Sequence, residues 1–184
     1  MMTGCFGTSS VALAVPTDSD LQHSRARLSR LLDEAVNDLA SGNAEAALEK
    51  YRLAQDLNPG ASDSTSFYNI GLCHYQLGNV DDAIANWEAA LKIDPNQSDV
   101  LVNLGNVYVI AKKDPHRALS YIKRALELTP DDGEIAYNYA CVLEAVGRVE
   151  EAVEHYRTAQ KHNVERAAVN LRNAMAKLLK KSKQ

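Results

Sequence analysis

Four asparagines recur along the chain at nearly constant spacing, namely Asn69, Asn103, Asn138 and Asn170. Each directly precedes a bulky residue, so the four occupy one column of a repeating pattern. A side-chain amide both donates and accepts hydrogen bonds, and it can therefore pair with the N–H and C=O groups of an extended peptide. The same column would also be explained if the asparagines only ordered neighbouring helices, and the sequence leaves both interpretations open.

The residue types that carry catalysis or bind metals are scattered. The five histidines include no pair at metal-binding spacing, and the chain has neither a nucleophile elbow nor a glycine-rich phosphate loop. His74 lies among apolar residues at helical spacing, which favours a packed side chain. Three cysteines, Cys5, Cys73 and Cys141, stand far apart, and the last two are predicted to be small buried residues. We therefore expect no enzyme, no cofactor and no metal site.

The start of the chain carries little sign of export. Residues 1–18 are predicted to be a disordered tail, and no basic residue precedes their short apolar run, which disfavours a secretory signal. No stretch of the chain approaches the roughly 20 apolar residues of a membrane-spanning helix. Cysteines without a pairing pattern fit a reducing compartment, so we expect a cytoplasmic protein.

The net charge of −4 is unevenly distributed. From Lys161 onward, seven basic residues stand against one acid, which leaves +6 there and −10 over residues 1–160. An acidic body disfavours nucleic acid, because phosphates require clustered cations. The basic end fits a solvated helix terminus, although contact with RNA or with an acidic partner is a further alternative.

The strongest pattern is an internal repeat. Four columns of residues recur at the same successive spacings of 36, 35 and 34 residues. Two of them are alanine columns, one between these is bulky, and the last ends each helix pair. The columns are Ala47, Ala83, Ala118 and Ala152; Tyr51, Trp87, Ile122 and Tyr156; Ala54, Ala90, Ala125 and Ala159; and Pro59, Pro95, Pro130 and Val164. Each unit therefore consists of two helices, which we call the front helix and the second helix.

Two further columns fix how the helices of a unit meet. Small residues on the front helices would let the two helices approach closely, and they are Gly71, Gly105 and Ala140. Glycines suited to positive φ mark the turn between the helices in three units, at Gly42, Gly78 and Gly147. In the remaining unit, the turn is one residue longer and includes Pro115.

The segment DDAIANWEAALKIDPN, with its A-x-x-x-W-x-x-A spacing and its D-P ending, resembles a tetratricopeptide repeat. The resemblance covers about residues 28–164. It implies an all-α solenoid wound as a right-handed superhelix, with the front helices lining its concave side. Within residues 19–164, it implies four repeats at about 28–61, 64–97, 98–132 and 133–164, before a capping helix and basic tail at 165–184.

The resemblance also places the asparagine column in the concave groove, where some tetratricopeptide proteins hold a peptide main chain. Further peptide-binding candidates beside this column are Tyr68, Tyr75, Asn106 and Tyr137. Chaperone-binding members of the family grip an acidic EEVD terminus with Lys, Asn and Arg on successive front helices. The corresponding residues here include no cation, and they are Tyr68, Leu72, Asn103, Glu134 and Asn138. We therefore expect a neutral, apolar or basic protein segment as the ligand.

Both ends of the array depart from the pattern. Glu34 and Asp38 stand where apolar residues are expected, so the register of the first unit could slip by one residue. Arg172 occupies the column of small residues, where a large charge would block a further helix. The array is therefore expected to end at the capping helix, as soluble solenoids require.

Taken as a whole, the sequence predicts a non-catalytic adaptor or scaffold that binds a partner peptide in its concave groove, as part of a multiprotein complex. The alternative is a fixed structural or assembly subunit that docks through its convex face or its C-terminal cap. A fold of this kind serves many functions, so the sequence does not name the partner.

Overall fold

A computed structural model describes residues 17–60 and 63–182, and this part of the chain forms nine α-helices and no strand. The helices are α1 Asp18–Ala40, α2 Ala44–Leu57, α3 Ser64–Gln76, α4 Val80–Ile93, α5 Ser98–Ile110, α6 Pro115–Leu128, α7 Gly133–Ala145, α8 Val149–Lys161 and α9 Arg166–Lys181. Successive helices pair into four hairpins, and α9 follows the last of them. The predicted all-α solenoid is confirmed.

The first helix begins earlier than the repeat pattern implies. Residues 1–16 of the predicted disordered tail lie outside the described residues, as do Cys5 and residues 183–184. Thr17 caps α1 instead of belonging to that tail: its hydroxyl accepts from the backbone N–H of Asp20, and the Asp20 carboxylate accepts from the backbone N–H of Thr17. This reciprocal capping box satisfies two N–H groups at the helix start.

The turns inside the hairpins adopt the conformation that their glycines predict. Gly42, Gly78 and Gly147 have φ angles of 80°, 79° and 81°. In the third hairpin, Lys113 takes a positive φ of 56°, and Pro115 is the first residue of α6. Proline suits that position because its missing N–H has no partner within the helix.

The recurring columns form the core. Ala83, Ala118 and Ala152 are fully buried. Trp87 and its counterparts Ile122 and Tyr156 are at most 1% exposed. The two helices of a hairpin approach so closely that the column of small residues has no room for a larger side chain. A Cβ at Gly71 would lie 2.4 Å from the Trp87 indole nitrogen, and one at Gly105 would lie 2.3 Å from Cδ1 of Ile122.

The two unexpected acids of the first hairpin have a common partner on α2. The ammonium group of Lys50 lies 2.5 Å from a carboxylate oxygen of Asp38 and 3.5 Å from one of Glu34. Ala35, one residue after Glu34, is fully buried and keeps the register of the small column. An ion pair therefore replaces packing at this terminal unit, as a polar solenoid end requires.

The last helix covers the fourth hairpin. Ala167 and Ala174 are fully buried in that contact, whereas Arg172 on the opposite side is exposed. No helix in the described part of the chain combines the length and apolar character that a membrane crossing requires.

Candidate peptide-binding surface

The front helices α3, α5, α7 and α9 carry a surface that we call the front face, on which side chains of α3 meet those of α5 and side chains of α7 meet those of α9. It carries Tyr68, Asn69, Asn103, Asn106, Tyr137, Asn138 and Asn170. Two hydrogen bonds cross between neighbouring helices on this surface. The Asn103 amide donates to the Tyr68 hydroxyl at 3.3 Å, and the Asn170 amide donates to the Tyr137 hydroxyl at 2.9 Å. The structure thus brings predicted asparagines and tyrosines together.

These bonds give two of the four asparagines a role inside the fold. Asn103 and Asn170 are half-buried, and each ties its own front helix to the preceding one. Burial raises the pKa of both tyrosines that accept these bonds. These two amides therefore order neighbouring helices, which is one of the two roles that the sequence allowed for the column.

Asn69 faces a different neighbour, the buried Tyr51 on α2. Burial raises the pKa of Tyr51, and the nearby Asn69 amide partly opposes that rise. The two groups do not meet in regular hydrogen-bond geometry, since the Tyr51 hydroxyl is without a hydrogen-bond partner within the described residues. Asn69 is thus close to an internal phenol without being fixed by it.

Asn138 and Asn106 differ from the other front-face amides. Both residues are half-buried, and their solvent-accessible side-chain amides make no hydrogen bond within the described ranges 17–60 and 63–182. The residue that corresponds to Tyr68 and Tyr137 in the intervening hairpin is Val102, which has no hydroxyl to accept a bond. We call the part of the front face between two successive front helices a step. The step from α5 to α7 has amides without a partner in the fold, and we call it the open step.

Tyr75 lies apart from the hydrogen-bonded steps. It stands near the end of α3 and is exposed, and its ring lies 5.7 Å from the ring of Trp87 in its own hairpin. It provides an aromatic edge of the front face.

The capping helix adds two cations that the repeat pattern did not predict. Arg166 pairs with Glu134 and lies over the Tyr137 ring, with its guanidinium carbon 4.4 Å from the ring centre. The Lys177 ammonium group lies 2.5 Å from Glu144. Each pair spans about one repeat in sequence, and that spacing is the signal that could have revealed it.

The lysine-rich end also contacts the fourth hairpin rather than projecting freely. Lys181 lies 3.5 Å from Glu150 on α8, beside the pair between Lys177 and Glu144. Exposed pairs of this kind stabilise a fold only weakly, but they place these cations against acids of the same chain. They account for part of the basic end without RNA.

The described residues contain no cluster of histidine, cysteine and acidic side chains arranged to hold a metal ion. Cys73 is buried, and Cys141 is half-buried with its sulfur accepting a hydrogen bond from the Tyr156 hydroxyl at 3.4 Å. Burial raises the pKa of the Cys73 thiol to about 11. Such a thiol is an inert core group rather than a nucleophile.

Comparison with protein families agrees with this geometry. One family model, described as a TPR repeat, matches residues 71–109, and another, described as a tetratricopeptide repeat, matches residues 109–178. The two matches are contiguous and together cover more than half of the chain. The chain belongs to the tetratricopeptide-repeat family.

Two curated relatives of this tetratricopeptide-repeat protein are named after a larger complex or its assembly. It is 31% identical over 87 residues to mouse Superkiller complex protein 3, a match that covers 47% of this chain and 6% of that protein. It is 28% identical over 97 residues to the photosystem I assembly protein Ycf3 of Synechococcus sp. strain CC9605, covering 52% and 56%. The chain thus spans less than two thirds of either relative.

Solved structures show the same fold. The chain superposes with a TM-score of 0.73 on YrrB, described as a TPR protein with an unusual peptide-binding site, at 23% identity and with 86% and 81% of the two chains covered. It superposes with a TM-score of 0.60 on the first TPR of Spaghetti (RPAP3) bound to the HSP90 peptide SRMEEVD, at 20% identity and with 64% and 94% covered. At these identities, the likeness concerns the fold alone.

Proposed function

We propose that this tetratricopeptide-repeat protein is a non-catalytic adaptor that binds an extended segment of a partner protein on its front face. The observation that carries the proposal is the pair of half-buried amides, Asn106 and Asn138, that make no hydrogen bond within the described chain. Solvent reaches these amides, and a peptide main chain would supply both donors and acceptors in place of water. The free thiols of Cys73 and Cys141 suit a reducing cytoplasm.

The charge of the front face supports a neutral, apolar or basic segment. The positions that correspond to a carboxylate clamp carry no cation, and the nearby Arg166 and Lys177 already pair with Glu134 and Glu144. An acidic terminus would therefore have to displace an existing ion pair. A segment without acids avoids that cost.

The amides at the open step are tested by removing them. Proximity crosslinking with mass spectrometry in cells would compare the wild type with the double variant Asn106→Ala/Asn138→Ala. Asn86→Ala is the matched control, because its amide bonds only to the Asp82 carbonyl of its own helix. We expect the double variant to lose a defined set of partners that the control keeps. An unchanged set of partners, with normal circular dichroism, would show that these amides do not bind the ligand.

A second variant closes the same step without removing an amide. Val102→Tyr would place a phenol where Tyr68 and Tyr137 stand in the neighbouring hairpins, within reach of the Asn138 amide. We expect partner loss together with unchanged or slightly raised thermal stability, since one hydrogen bond is gained in the fold. If Val102→Tyr keeps all partners, the open step is not where the segment binds.

A fixed subunit of a larger assembly is the second candidate, and a column of exposed apolar residues favours it. Leu57, Ile93 and Leu128 stand one repeat apart near the ends of the second helices and are 36%, 53% and 38% exposed. Apolar side chains repeated along one edge suit a permanent interface. Gel filtration of native lysate would show a salt-resistant high-mass peak that Ile93→Lys shifts to monomer size. A wild-type monomer would exclude this candidate.

A further inference from the structure

An open surface cavity of about 310 Å³ lies between α3 and the start of α5, next to the front-face bond between Tyr68 and Asn103. Its lining includes Thr65, Tyr68, Ser98 and Asp99. The cavity therefore combines an aromatic ring, three hydroxyl groups and one carboxylate.

Asp99 is the acid of the front face that the fold leaves without a cation. Glu134 and Glu144 pair with Arg166 and Lys177, whereas Asp99 is exposed and has no ion-pair partner within the described residues. The negative charge of Asp99 contributes to the raised pKa of Tyr68, after burial, so the carboxylate lies close to the phenol.

The corresponding tyrosine between α7 and α9 shows how a cation can lie on this face. Tyr137 corresponds to Tyr68 in the repeat, and its hydroxyl accepts from Asn170 as that of Tyr68 accepts from Asn103. There, the guanidinium group of Arg166 covers the tyrosine ring and pairs with a carboxylate. At the cavity, Thr65 takes the repeat position of Glu134 and Asp99 takes that of Arg166, so the tyrosine is kept, an acid replaces the cation beside it, and no cation covers the ring.

We propose that this cavity binds an arginine or lysine side chain of the partner segment. The cation pairs with the Asp99 carboxylate and lies against the Tyr68 ring, as Arg166 does on Tyr137. Arginine is favoured over lysine because its planar guanidinium group can stack on the ring and bond to the carboxylate together. This inference rests on the proposed function, since it specifies one residue of the bound segment.

The test uses random linear peptides displayed on phage and selected on the full-length protein. Selection on the wild type should enrich peptides with a basic residue at one fixed position, and selection on Asp99→Asn should lose that preference. Asp131→Asn, which removes an exposed acid in the loop before α7, is the charge-matched control and should keep it.

One enriched peptide is then made with arginine or with its uncharged isostere citrulline at that position. We expect citrulline to weaken binding to the wild type by about two- to fivefold, the range of exposed ion pairs, and to have little effect with Asp99→Asn. If citrulline weakens binding equally in both proteins, or if no basic position is enriched, the assignment of the cavity is wrong while peptide binding stands. If no peptide is enriched on the wild type, the proposed function and this inference both fail.

Discussion

Replacing Gly71 by alanine would test how closely the two helices of a hairpin pack. A Cβ at this position would lie 2.4 Å from Nε1 and 2.5 Å from Cδ1 of Trp87. The indole is 1% exposed, and its N–H donates to the Tyr68 carbonyl at 3.2 Å. Gly71→Ala therefore forces the indole to move and strains or breaks this hydrogen bond.

The expected effect follows from three contributions. Overpacking a core costs about 1–3 kcal/mol, and losing the indole hydrogen bond costs about 0.5–1.5 kcal/mol. Alanine is the better helix former, which offsets about 1 kcal/mol. We expect the free energy of unfolding to fall by about 0.5–3.5 kcal/mol, whereas helix propensity alone predicts an increase.

Urea unfolding followed by circular dichroism measures this free energy, and the fluorescence of the single tryptophan reports the indole shift. The fourth hairpin supplies a compensating change, because the same two columns hold Ala140 and Tyr156 there, both buried. Gly71→Ala/Trp87→Tyr should therefore lose less stability than the sum of its single changes. A Gly71→Ala protein at least as stable as the wild type, or strict additivity, would refute the close packing.

Two titratable groups give further predictions. Burial lowers the pKa of His155 below 6.5, and the charges of Glu151 and Glu154 oppose this shift only partly. The histidine therefore contributes stability above pH 6.5, where it is neutral, and this stability is lost as the pH falls through the folded pKa. The free energy of unfolding should decline from about pH 7.5 to about pH 5, with a shallower slope for His155→Gln; an equal slope would contradict this role. Because burial raises the pKa of Cys73 from 9.0 to about 11, its thiolate fraction at about pH 8 is roughly a hundredfold below the ordinary value. Iodoacetamide mapped by mass spectrometry should label Cys141 before Cys73, which should react only on unfolding; equal rates at these two thiols would contradict this.

The repeat made the fold predictable from sequence. A column such as Ala83, Ala118 and Ala152 recurs because each second helix must contact its front helix at the same point, so periodicity alone identifies the core. Turn glycines were equally readable, since Gly42 and Gly147 supply a backbone conformation that other residues rarely adopt.

Ion pairs at the two ends were harder to predict, because local periodicity does not show which columns of neighbouring helices face each other. Asp38 looked misplaced on an apolar stripe until Lys50 on the next helix was found beside it. Tyr108 and Tyr121 occupy the corresponding positions of the third hairpin, where their rings stack 5.6 Å apart. One position thus accepts an ion pair or an aromatic pair, provided that both partners change together.

The sequence identified the asparagine column but not the division within it. An asparagine of this column can bond to a residue of the preceding front helix, namely the residue directly before the asparagine of that helix. The type of this residue therefore decides whether the asparagine is available to a ligand. Tyrosine at 68 and 137 engages Asn103 and Asn170, whereas Val102 leaves Asn138 unbonded. The front face therefore alternates between closed and open steps, and a ligand that reads asparagines would find its main-chain contacts at the open step. A uniform ladder would offer no such preference, so under the proposed function this alternation predicts that a bound segment is centred between α5 and α7.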